Sequence, residues 1–79
     1  MESINYIICK YIYKNWIEKH KSQRAFALDH DIEESIVRKI KATAKKSSPT
    51  EYNIPVKTLN KICEARNIKL SEFFKLIEL

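Results

Sequence analysis

Five cations are crowded into nine residues near the middle of the chain: Arg38, Lys39, Lys41, Lys45 and Lys46. No acidic residue answers them anywhere from Val37 to Thr50. Ammonium and guanidinium groups at this density suit a polyanion, and the whole chain carries 15 Lys and Arg against 10 Asp and Glu, a net charge of +5. A solvated helix end would also collect cations, because they are favoured at a helix C-terminus. Placed at and directly after the end of the amphipathic stretch that closes at Ile40, the block favours phosphate contact, with Lys41, Lys45 and Lys46 as the contacts. Catalytic chemistry is poorly provided for. There is no glycine, hence no glycine-rich phosphate loop, and no nucleophile stands at recognisable spacing from a base. Glu33 and Glu34 are neighbours that a helix would splay about 100° apart, so they form no carboxylate pair. Cys9 and Cys63 lack CxxC spacing and read as small buried hydrophobes rather than a disulfide or metal ligands; His20 and His30 lack ligand spacing too. The expectation is a protein that is not an enzyme and needs no cofactor or metal.

The elements that must position the cations lie just upstream, in SQRAFALDHDIEESIVRKI from Ser22 to Ile40. Apolar residues at Phe26, Ala27, Ile32, Val37 and Ile40 define two short amphipathic helices. Ser22 is a good N-cap for the first, about residues 22–29. Asp31 with Glu34 three residues on resembles a capping box opening the second, from about Glu33. Asp29-His30-Asp31 favours a turn between them. A helix, a tight turn and a helix ending in Arg38-Lys39 is the outline of a DNA-reading unit.

This stretch resembles the Cro/repressor-type (XRE-like) helix-turn-helix family. Ser22, Gln23, Phe26, Ala27, Ile32, Val37 and Ile40 fall on the family's marked or core positions without a gap. A second block, VKTLNKICEARNIKLSEFF from Val56 to Phe74, resembles the family's following helix pair. The resemblance covers about Ile8 to Leu76. It implies an all-α, compact five-helix lambda-repressor-like domain over residues 1–79, with the helix-turn-helix at about 22–41 and helix three in the major groove. Gln23 matches the family's backbone-anchoring glutamine. The base-facing positions fall on Glu34, Ser35 and Lys39, with Arg38 nearby: Lys39 could donate to guanine and Glu34 could accept from cytosine N4. The implied function is a small dimeric transcriptional regulator on a pseudo-palindromic double-stranded site, with no small-molecule effector. Phage repressors, restriction–modification controllers and antitoxins share this size. Glu33 and Glu34 cut against DNA reading, because carboxylates repel phosphates, although they also suit a helix N-terminus. A protein-interaction module on the same scaffold, antitoxin-like or adaptor, is the alternative.

Two departures from the family concern the turn and the following loop. Asp31 stands where a glycine is usual, and Asp tolerates left-handed backbone. His30 replaces a usual apolar residue and should be a partly buried ring beside the turn. About seven extra residues fall within an inserted loop at about 42–55. Helix three should run on through part of it until Ser47-Ser48-Pro49 stops it, and Tyr52 and Ile54 should pin the remainder. The insertion fits a phosphate-binding arm or a surface excursion equally well.

The rest of the chain reads as scaffold. Helix one should span about Ser3 to His20 with Ile4, Ile8, Ile12, Asn15 and Trp16 inward, its aromatics packing the core rather than stacking on single-stranded nucleic acid. Helix four should start at Pro55 or Val56 and bury Val56, Leu59, Ile62 and Cys63, with Asn67 as a left-handed cap. The C-terminal helix, about 70–78, carries Phe73, Phe74, Leu76, Ile77 and Leu79, more apolar surface than one face buries; Phe74, Ile77 and Leu79 are the candidate dimer interface. With no signal peptide and no membrane-length apolar run, the expected location is cytoplasmic.

Overall fold

The computed structural model describes residues 2–78, and every regular element among them is helical. α1 spans Ile4–Ile12 and continues as a π-helical turn over Tyr13–Ile17; α2 is Gln23–Asp29, α3 Glu34–Ala44, α4 Val56–Ala65 and α5 Leu70–Leu76. α3 packs across both α1 and α2, and α5 packs on α4. One core joins them all, with Phe26, Phe73, Ile12, Ile40, Ile62, Val37, Cys9 and Cys63 fully buried.

The first helix buries Ile8, Cys9, Ile12, Trp16 and Ile17. Ile4 is 53% exposed and Asn15 is exposed, contrary to the expected stripe. At about 100° per residue the buried face is centred on Cys9 and Trp16, which leaves Ile4 and Asn15 beyond its edge. The π turn corrects the far end: Glu18 N–H donates to the Tyr13 carbonyl five residues back, at 2.8 Å, and the wider turn brings Ile17 over the core. Asn15 instead donates its amide to the Tyr11 carbonyl at 3.1 Å.

Three helices end the same way without glycine. Asp31, Lys46 and Asn67 adopt φ of 55°, 54° and 62°. In each case the next residue's N–H reaches back to close the helix: Ile32 to Ala27, Ser47 to Ala42 and Ile68 to Cys63, at 3.0, 2.9 and 3.0 Å. This is the Schellman closure, with Asp, Lys and Asn accepting a conformation that usually falls to glycine. Asp31 is therefore the end of α2 and not the start of α3. Glu33 is the N-cap of α3 and makes no side-chain cap bond, so the expected capping box does not form. Ser22 does cap α2, accepting Ala25 N–H at 3.0 Å.

α3 extends to Ala44, and residues 45–55 return along α1 and α3. Tyr52 N–H donates to the buried Thr43 hydroxyl at 2.8 Å. The Ser3 hydroxyl donates to the Glu51 carboxylate at 2.7 Å, and Ile54 enters the core. The segment is fastened, not a free arm. Thr43→Val keeps the shape of the side chain but removes the acceptor for a half-buried N–H. It should cost about 1–3 kcal/mol, read as a lower urea midpoint at unchanged denaturant slope.

α4 buries Leu59, Ile62 and Cys63, but Val56 is 69% exposed. It lies one turn before Leu59, beyond the end of the packed face. Burial pushes the Cys9 thiol up to about 12 and that of Cys63 to about 11; both are free, neutral and part of the core.

Candidate nucleic-acid interface

The junction that carries α3 is built around Phe26. Its ring is fully buried and stacks on the His30 imidazole, centroids 3.8 Å apart and planes 18° apart. His30 is itself only 4% exposed, deeper than the partly buried ring expected from sequence. Its Nδ1 lies 2.8 Å from the Phe26 carbonyl, and Arg66 Nη1 lies 3.2 Å from its Nε2. The Arg66 guanidinium in turn sits over the Trp16 ring, 4.6 Å from the centroid. This tie links the α2–α3 turn to the ends of α4 and of the first helix.

α3 buries Val37, Ile40 and Thr43 and turns the opposite face outward. Ser35, Arg38, Lys39 and Lys45 are exposed, and Glu34 and Lys41 are half-buried. At about 100° per residue Lys39 lies about 160° around α3 from Lys41, on the flank toward Tyr52, while Glu34, Arg38, Lys41 and Lys45 follow one stripe of the outer surface with Ser35 beside it. Charge is graded along it. Glu33 and Glu34 occupy the first end, where Arg38 pairs with the Glu34 carboxylate at 3.0 Å and the Ser35 hydroxyl donates to Glu33 at 3.3 Å. Among the described residues, Lys39, Lys41, Lys45 and Lys46 have no carboxylate within ion-pair distance. Lys39 Nζ instead stands 5.5 Å from the centre of the Tyr52 ring.

Lys46 and Gln23 sit elsewhere. The left-handed backbone at Lys46 turns its ammonium back onto Tyr6 of α1, 4.5 Å from the ring centre, where Lys10 also lies at 5.5 Å. Gln23 is the half-buried first residue of α2. Of the expected dimer residues, Phe74 and Ile77 are half-buried against their own core, and Leu79 lies outside the described residues. α5 leaves Leu76 52% exposed, and a cleft of about 290 Å³ between the first helix and Ile77 is lined by Ile7, Tyr11 and Ile77 together with the polar Glu2, Lys10, Lys14 and Asn15.

No known family model, characterised protein or solved structure is significantly similar to this chain. Among the described residues, no group of three His, Cys, Asp or Glu could hold a metal ion, and no helix is long and apolar enough to cross a membrane.

Residues that sequence reasoning passed over include Thr43 and Arg66. Thr43 continues the Ile36, Val37, Ile40 spacing and was detectable from it. Arg66 was not, since its partners Trp16 and His30 lie 50 and 36 positions away.

Proposed function

We propose that this chain binds double-stranded DNA as a small, cytoplasmic, dimeric transcriptional regulator, with α3 in the major groove. The observation that carries the reading is the outer face of α3. Arg38, Lys41 and Lys45 follow one stripe of it with Lys39 on the flank, and after Glu34 the next acid in the chain is Glu51. A helix about 10–12 Å across fits a groove about 12 Å wide. In this reading the sequence-specific contacts come from Glu34, Ser35, Arg38 and Lys39, and backbone contacts from Gln23, Lys41 and Lys45. Lys46 would have to leave Tyr6 to join them. No catalytic step, cofactor or small effector enters. Two copies joined through α5 would set their α3 helices about 34–36 Å apart on a pseudo-palindrome.

A second reading, a protein-interaction module, is favoured by the acidic first turn of α3 and by exposed Leu76. Selection from a random duplex library, with recovered sites titrated at two salt concentrations, separates the two. DNA binding should yield a palindrome and an affinity falling with salt by roughly 0.9 log unit per log unit for each phosphate contact. No enrichment, with no binding at low salt, would overturn the DNA reading and favour the protein partner.

A further inference from the structure

The His30 ring is held by two contacts, one of which only its neutral form can make. A carbonyl oxygen only accepts, so the 2.8 Å contact with Phe26 puts the ring hydrogen on Nδ1. Nε2 is then an acceptor, and Arg66 Nη1 donates to it at 3.2 Å. We propose that this contact is a proton-operated latch: uptake of a proton at Nε2 turns the only acceptor into a second donor, opposes two cations, and unseats the α2–α3 turn from the end of α4. The latch acts on the scaffold beneath α3 and goes beyond the DNA-binding reading, whatever α3 engages.

Groups facing the ring from every side compensate the incoming charge only in part, Asp29 favouring it and His20 opposing it. From the end of the first helix comes His20, its ring centre 5.9 Å away. From α2 comes Asp29, whose carboxylate is held by His20 Nε2 at 2.8 Å. From α4, Lys61 and Glu64 border the adjoining cleft with Asp31 of the turn. Asp31 lies 3.7 Å from the Lys61 ammonium, and Glu64 accepts the Asn60 amide at 2.8 Å. Each carboxylate has another partner, and none is within hydrogen-bond reach of His30.

Burial chiefly, with the Arg66 charge, holds the imidazole below its ordinary value, against the smaller opposing pull of the Phe26 carbonyl. A lowered value places the sign. At pH well above about 6.5 both folded and unfolded rings are neutral, and the stability is complete. As pH falls below that value the unfolded chain takes up a proton that the folded chain refuses. The folding constant should then drop up to tenfold per pH unit until the folded ring titrates.

Urea unfolding between about pH 8 and pH 5, above most carboxylate titration, tests this on the full chain. The parent should lose stability as pH falls, His20→Gln should keep that dependence, and His30→Leu should lose it. Proton NMR of the His30 ring should show it titrating below about 6.5, and moving upward in Arg66→Met. Equal pH dependence in the parent and His30→Leu, loss of the dependence in His20→Gln, or a ring that titrates at or above the ordinary value would overturn the latch. Should His30→Leu fail to fold, the ring titration and its response to Arg66→Met decide alone.

Discussion

Phe26→Ala is expected to leave the chain at the margin of folding at room temperature, with a substantial unfolded fraction. The ring is fully buried and belongs to a short helix that has little stability of its own. It stacks on His30 and meets His20 edge-on at 5.5 Å. Removing a buried Phe costs about 3–5 kcal/mol, against a total of roughly 5–15 kcal/mol for native domains and the lower end for a chain this small. The loss also strips His30 of its stacking partner, so the turn that sets the direction of α3 goes with it. Circular dichroism melting checks the result: a cooperative transition with a midpoint close to the parent's would mean that α2 is not the seat of α3. Phe26→Leu, which refills most of the volume, should retain a cooperative transition at reduced midpoint.

The parts of this architecture that were legible in the sequence are those decided within one or two turns. Ser22 caps α2 because its hydroxyl needs only an N–H three residues on. Asn67 and Asp31 take positive φ because their short polar side chains tolerate it, and Ile68 and Ile32 then close the helices. Asp31 also shows how local signals compete: the same residue could cap α3 or end α2, and the left-handed closure prevailed. Less legible was anything settled by contact at a distance. The π turn at Tyr13–Ile17 obeys the shape of the core, not a residue preference. His30 is buried because Arg66, from the far end of α4, supplies its hydrogen bond. The site divides in the same way. The basic block from Arg38 to Lys46 was legible as a run of cations, and the three- and four-residue steps from Arg38 to Lys41 and Lys45 place those three on one stripe, with Lys39 on the far flank. The return of Lys46 onto Tyr6 depends on the left-handed turn at the end of α3, which no spacing within the basic block encodes.

Reversing two charges in the second half of α3, Lys41→Glu with Lys45→Glu, should weaken duplex binding about 100- to 1000-fold at low salt. Each reversal takes a cation away from a phosphate and puts a repulsion in its place. The log–log salt slope should shrink by roughly 0.9 for each phosphate that is no longer neutralised. On duplex of arbitrary sequence Glu34→Gln is expected to act oppositely, strengthening binding several-fold, while it weakens the preference for cytosine at the position Glu34 reads. It removes a carboxylate from the first turn and releases Arg38, now 3.0 Å from that carboxylate. The release is inexpensive: an exposed pair four residues apart on a helix contributes about 0.3–0.5 kcal/mol, less than a phosphate offers the freed guanidinium. Fluorescence anisotropy over a salt series measures both variants. The pair of results is more informative than either alone, because general weakening by charge could follow from any lysine on the surface. A gain from Glu34→Gln requires that the front of α3 itself approach the phosphates. If the double reversal binds like the parent while Glu34→Gln changes nothing, α3 is not the DNA-facing helix, and its acidic first turn belongs to a protein contact instead.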